Sequence, residues 1–156
     1  MKESFLKYSV AIRTIGKAGD KYIQELQSLH NQTIKPEHIY VHLAHGFERP
    51  KEQVGMEEYI DTPKGLVHQR AAANMVEEEY VLIIDDDVYF PEDAVEKMYN
   101  ALQEYGADGI ATDTFPTQDM IFLSKLGAYM TNAVKVRRND GWAICIQRSG
   151  AFSYNS

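Results

Sequence analysis

Three consecutive carboxylates, Asp85-Asp86-Asp87, follow directly on Tyr80-Val81-Leu82-Ile83-Ile84. That unbroken apolar run is the kind that forms a strand buried on both faces of a parallel sheet. Like charges so close repel, and at least one pKa must rise unless a cation neutralises them. Side chains alternate along extended backbone, so Asp85 and Asp87 are expected to point one way and Asp86 aside. Two converging carboxylates form an all-oxygen half-site suited to Mg²⁺ or Mn²⁺, with phosphate oxygens and water completing the octahedron. The plainer reading is a solvated acidic turn that caps the next helix. The triplet alone does not separate the two.

Presenting those carboxylates requires strands and helices in alternation, and the rest of the chain supplies them. Tyr8 to Thr14 reads as a short apolar strand, ended by Gly16 and Gly19. Asp20 suits the N-cap of a helix whose Tyr22, Leu26 and Leu29 recur at i, i+4 and i+7. His38 to Leu43 is a second strand, and the charged loop from Gly46 towards Lys64 holds a short one at Glu58 to Ile60. Leu66 to Glu79 is helical by composition, with Ala71, Ala72, Ala73 and Met75 as strong formers. After the triplet, Pro91 suits N1 of a helix, Glu92 and Asp93 its positive end, and Gly106 its C′ stop. Ala94, Val95, Met98, Ala101, Leu102 and Tyr105 form its apolar stripe. Gly109 to Thr112 and Trp142 to Gln147 are the remaining strands, while Phe115 to Arg138 has no clear pattern. This order predicts an α/β fold with right-handed crossovers and a mostly parallel sheet flanked by helices. In such open sheets ligands bind at the carboxyl ends of the strands, where the triplet lies.

At 156 residues the chain is about one ordinary domain, large enough to bury a core without disulfides. Sixteen basic against twenty-three acidic residues give a formal charge of −7, which argues against a nucleic-acid partner. The one cysteine, Cys145, excludes an internal disulfide and a cysteine-built zinc site. No apolar run approaches the roughly 20 residues of a membrane span. The start, Met1-Lys2-Glu3-Ser4, does not read as a signal peptide, so a cytoplasmic protein is expected.

Other chemistry-bearing residues carry less. His42 and His45 stand at i and i+3, which face opposite ways on extended backbone, so a shared metal is not expected. Arg137-Arg138 and Glu77-Glu78-Glu79 read as solvated charge, and Cys145 as inert filling of a core strand with Trp142 and Ile144. Asp113 is a further carboxylate at a strand end, a position that can face a sugar. A haloacid-dehalogenase-type phosphatase also places D-x-D after a strand, but an early one, and wants Thr or Val where Tyr89 stands. A receiver domain needs its acidic pair after the first strand, where Arg13-Thr14 stand. Both fit poorly.

Taken in order, several segments resemble a family 2 glycosyltransferase of the GT-A fold. Ser9-Val10-Ala11-Ile12-Arg13-Thr14 is similar to the family's opening strand, which runs into Pro-Thr-Tyr-Asn. Ser28-Leu29 followed by Gln32-Thr33 resembles its S-L-x-x-Q-T, and Gly65 with Gln69-Arg70 and Asn74 its G…A-R-N helix. Glu79 to Asp87 is similar to its G-E-Y-I-x-F-L-D-x-D signature. The resemblance covers about the first 110 residues. It implies that the D-x-D motif holds Mn²⁺ or Mg²⁺ on the diphosphate of a nucleotide sugar, with Asp87 as metal ligand. Asp85 would share the metal shell near the ribose, Asp86 would assist, Thr14 would lie against the nucleobase and Arg70 close to the nucleotide. Arg13 stands where the family has Pro, Ile15-Gly16 where it has Tyr-Asn, and Leu43-Ala44-His45 where it carries a base-binding Asp.

The expectation is one GT-A-like nucleotide-sugar-binding domain over residues 1–156, lacking a clear C-terminal acceptor and base segment. The expected function is sugar transfer from a nucleotide-diphosphate sugar to an unidentified acceptor. The alternative is a truncated or degenerate donor-binding module without transferase activity. None of the ten residues after Ile146 is a carboxylate. No catalytic base is therefore assigned, poor transfer is expected, and Asp113, Asp119 and Asp140 are the first positions to test. A nucleotidyltransferase is a lesser alternative, since Gly16-Lys17-Ala18-Gly19 only faintly suggests a phosphate loop.

Overall fold

The computed structural model describes residues 6–51, 53–65, 68–69, 76–112, 134–135 and 144–148. Strand β1 (Tyr8–Thr14) leads to α1 (Asp20–His30), β2 (Ile39–Ala44) and β3 (Glu57–Thr62). Strand β4 (Tyr80–Asp85) and helix α2 (Ala94–Tyr105) follow, then β5 (Gly109–Thr112), β6 (Val134–Lys135) and β7 (Ile144–Arg148). They form one seven-stranded sheet in the order β3-β2-β1-β4-β7-β5-β6.

Strands β3, β2, β1 and β4 run parallel, as the sequence predicts. β7 lies antiparallel between β4 and β5, and β6 is antiparallel to β5. The late strand expected near Trp142 to Gln147 is thus a middle strand running against its neighbours.

Alternation along the strands sorts the side chains. Tyr8, Val10 and Ile12 of β1 join Tyr80, Leu82 and Ile84 of β4 in the main core, against Tyr22, Leu26 and Leu29 of α1. Val95, Met98 and Leu102 of α2 are buried in the same core. Each such side chain contributes roughly 1.5–3 kcal/mol by leaving water. Ala11, Val81 and Ile83 form a smaller cluster with Val76 on the other side.

Several boundaries move for local reasons. Asp20 is the first residue of α1 and not its cap, because Gly19 occupies the N-cap position at φ 62°. Pro91 precedes α2 by a turn, its carbonyl accepting from Ala94 N–H at 3.1 Å, and Asp93 holds the N-cap position. Gly106 ends α2 in the left-handed conformation at φ 57°, a geometry glycine adopts without strain. Tyr105 leaves the apolar stripe and is exposed. His68 and Gln69 are helical, whereas Val76 to Glu79 are not. Three carboxylates there oppose the negative end of a helix dipole, so the expected continuation to Glu79 is disfavoured. The rest of that expected helix lies outside the described residues, as do Arg137, Arg138, Trp142 and most of 115–138. Among the described residues no helix is long and apolar enough to cross a membrane.

Candidate functional site

The chain winds from β1 outwards to β2 and β3 on one side, and crosses to β4 on the other. The β1–β4 boundary is therefore the point where strand order reverses, and the loops that diverge there leave a crevice at the strand ends. A cleft of about 190 Å³ occupies this place, lined by Arg13, Thr14, Ile15, Gln69, Asp85 and Asp86. It is smaller than the roughly 300–1,000 Å³ of a complete small-molecule site.

Register builds its polar wall. Arg13 pairs with Asp85 across the parallel strands, so the guanidinium meets the carboxylate at the level of the sheet's edge. Arg13 Nη2 donates to Asp85 Oδ1 in an ion pair whose side chains are 6% and 45% exposed. The Nε and Nη1 groups of Arg13 are buried and have no hydrogen-bond partner among the described residues. One residue further along, Thr14 Oγ1 donates to Asp86 Oδ2 at 2.6 Å and accepts from Gly16 N–H at 2.8 Å. Burial raises the Asp86 pKa above the ordinary carboxylate range, the Thr14 hydrogen bond opposes the rise, and Asp87 and Asp85 add to it.

The expected alternation stops at Asp85. Asp86 and Asp87 form a turn, so Asp85 and Asp86 line the cleft while Asp87 stands exposed beside it. Asp87 makes no side-chain hydrogen bond among the described residues. Among those residues no three His, Cys, Asp or Glu side chains come together as a metal site. What this end of the sheet could offer a cation is carboxylate oxygen, from Asp85 and Asp86 in the cleft and Asp87 beside it. Hard oxygen donors of this kind suit Mg²⁺ or Mn²⁺, with phosphate and water completing the shell.

The rim is held by close backbone contact. Gly16 sits at φ 75°, and a Cβ on it would stand 2.3 Å from the Glu48 carbonyl oxygen. Only glycine lets the loops after β1 and β2 touch there. Below the cleft, Gln69 Nε2 donates to the His42 carbonyl at 3.3 Å. His42 is buried beside Thr62, 3.3 Å from its hydroxyl, and burial lowers its pKa to about 4. His45 is exposed and meets Asp61 Oδ2 at 2.9 Å, so the two histidines serve different partners.

Of the residues singled out from sequence, Thr14, Asp85 and Asp86 meet at the cleft and Asp87 adjoins it. Arg70, Asp113, Asp119 and Asp140 lie outside the described residues. Sequence reasoning missed Arg13 and Gln69 as cleft residues. It also missed Glu25 of α1, which is fully buried and whose Oε2 accepts from Val88 N–H at 2.8 Å. Burial holds the Glu25 carboxyl well above the usual range; the Val88 bond opposes this, and the three aspartates reinforce it. A raised Glu25 was findable only by knowing which face of α1 is covered.

The sequence model of Glycosyl transferase family 2 matches residues 59–155. The match takes in β4, the acidic triplet and β7, and begins after β1, α1 and β2. It therefore includes the stretch beyond residue 112, where the motifs noted above give out. No curated protein sequence matches the chain. Solved structures share its fold. A crystal structure of S. aureus TarS 1-349 is 18% identical with a TM-score of 0.53, over 70% of this chain and 36% of that one. The same protein in complex with UDP-GlcNAc is 18% identical with a TM-score of 0.54, over 70% and 35%. The mannosyltransferase PcManGT from Pyrobaculum calidifontis, in complex with GDP-Man and Mn²⁺, is 13% identical with a TM-score of 0.56, over 91% and 44%. The chain thus spans about a third of the TarS chain and under half of the mannosyltransferase. Its sheet is a mostly parallel, Rossmann-like sheet of the GT-A type, and with residues 59–155 inside the family match the chain belongs to glycosyltransferase family 2.

Proposed function

We propose that the chain binds a nucleotide-diphosphate sugar at the β1–β4 cleft together with Mn²⁺ or Mg²⁺, and passes the sugar to an acceptor. The observation that carries this reading is the cleft at the strand-order reversal, walled by Thr14, Asp85 and Asp86, in a chain of this family. Asp87 and Asp85 would hold the cation. Thr14 would lie against the nucleobase, Asp86 would assist on the ribose side, and Arg70 would stand close to the nucleotide. When bound, the cation offsets the negative charge that collects on a departing nucleoside diphosphate. Arg13 keeps Asp85 in place from behind, since a charge-assisted hydrogen bond fixes its carboxylate. Related folds have been solved with UDP-GlcNAc and with GDP-Man and Mn²⁺, which supports this class of donor.

A thermal-shift series with UDP-GlcNAc and GDP-mannose, each with Mn²⁺ or with EDTA, tests the reading. A ligand that binds only the native state raises the melting temperature by mass action. At least one nucleotide sugar is expected to raise it, and only with Mn²⁺ present. No shift with any nucleotide sugar would overturn the proposal. Adding a mixture of acceptors then separates a transferase, which forms glycosylated product, from a donor-binding module, which shifts without turning over.

A further inference from the structure

The loop that follows the acidic turn is held by a row of side chains of α1 and of the residues just beyond its C-terminal end. Glu25 Oε2 accepts from Val88 N–H at 2.8 Å, and Ser28 Oγ from Phe90 N–H at 3.2 Å. Gln32 Oε1 accepts from Val95 N–H at 3.1 Å, and its Nε2 donates to the Pro91 carbonyl at 2.6 Å. Thr33 extends the row, its N–H donating to the Glu92 carbonyl at 2.8 Å and its hydroxyl to Glu96 Oε2 at 2.9 Å. Glu25 and Ser28 stand at i and i+3 on one face of α1, and Gln32 lies two residues past the last residue of the helix, its Nε2 also donating to the Ser28 carbonyl at 3.1 Å. The backbone from Val88 into the first turn of α2 runs beside these residues and is fastened at Val88, Phe90, Pro91 and Val95.

Glu25 and Ser28 on α1 and Gln32 just past it are all buried, which is unusual for polar residues at the inward side of a helix that packs against a sheet. Glu25 is wholly inaccessible, and its Oε1 has no hydrogen-bond partner among the described residues. Burying a carboxyl with one oxygen unpaired is costly, and apolar packing would fill the space more cheaply. What the row does achieve is a fixed course for the backbone leaving Asp87.

We infer that Glu25, Ser28 and Gln32 are positioning residues, which set the turn through Asp86 and Asp87 and thereby the stance of both carboxylates at the cleft. The consequence for cation binding rests on the function proposed above; the effect on the turn does not. Glu25→Ala removes the acceptor of Val88 N–H, whereas Glu25→Gln keeps an oxygen in the same place. Ser28→Ala is a milder cut in the same row and covers the case in which Glu25→Ala does not fold.

The probes are Mn²⁺ alone, followed by electron paramagnetic resonance, and backbone amide exchange followed by NMR. Glu25→Ala is expected to speed exchange at Asp86, Asp87 and Val88 and to weaken Mn²⁺ binding about tenfold. Glu25→Gln should restore both, and Ser28→Ala should speed exchange from Phe90 back to Asp87 with a smaller loss of affinity. Unchanged exchange at Asp86 and Asp87 in folded variants would overturn the inference. So would faster exchange with unaltered Mn²⁺ affinity, which marks a merely structural row. If the unaltered chain binds no Mn²⁺, the metal reading falls on its own, and exchange at Asp86 and Asp87 alone decides whether the row positions the turn.

Discussion

Asp87→Ala is expected to abolish Mn²⁺-dependent binding of nucleoside diphosphate without loss of stability, whereas Asp85→Ala is expected to cost about 3 kcal/mol of folding free energy. The contrast follows from what each carboxylate touches. Asp87 is exposed and adds to the repulsion that raises the Asp86 pKa, so its removal relieves a like-charge cluster. Asp85 is the counterion of Arg13, whose side chain is only 6% exposed and whose Nε and Nη1 lack partners among the described residues. Deleting Asp85 leaves a buried guanidinium with no acceptor among those residues. Stripping one partner from a buried pair costs about 3–5 kcal/mol, and the half-exposed Asp85 places this case at the low end. Urea denaturation without metal measures the stabilities, and titration calorimetry with Mn²⁺ and UDP or GDP measures binding. A neutral Asp85→Ala would show that the ion pair does not hold the cleft wall. Retained Mn²⁺-dependent affinity in Asp87→Ala would remove Asp87 from the metal site.

Acidification is expected to cost about 3 kcal/mol through His42 alone. Its pKa falls from 6.5 to about 4 because burial disfavours the charged ring. A base with a lowered native pKa contributes stability that is complete above 6.5, where folded and unfolded rings are both neutral. Between 6.5 and about 4 the unfolded ring takes up a proton that the folded one refuses, so this contribution is lost as the pH falls. Glu25 and Asp86 act in the opposite sense, since raised carboxyls favour the folded state at low pH and lose that contribution as the pH rises. The difference between the parent chain and His42→Asn isolates the histidine. Urea midpoints of the two should diverge at neutral pH and converge towards pH 4. Parallel profiles across that range would mean that the native ring titrates normally.

The sequence carried the strands more clearly than the site. β1 occupies the residues expected of it, and the apolar run before Asp85 declared β4 because both its faces are covered. Periodicity found the buried side of α1 in Tyr22, Leu26 and Leu29. It could not show that Glu25, Ser28 and, just past the helix, Gln32 are buried too, because a polar residue there looks the same whether it meets water or a loop. The Arg13–Asp85 pair spans 72 residues and exists only through strand order and register, neither of which has a local signal. Side-chain alternation misled at Asp87 because it was carried two residues past the end of β4, through a turn. The direction of β7 was equally hidden, since five apolar-rich residues read alike in either sense.

The place of β7 bears on how the chain comes to be folded at all. Of the described strands it is the last in sequence, yet it is the hydrogen-bonded link between β4 and β5. On a ribosome, β1 to β4 emerge long before their missing neighbour. At a synthesis rate of about 5–20 residues per second, the β4 edge stays open for several seconds. An open apolar edge is a template for pairing with another chain. A nascent chain stalled before Ile144 should therefore be a substrate for holdase chaperones, and release should track the appearance of residues 144–148 rather than of the acidic turn.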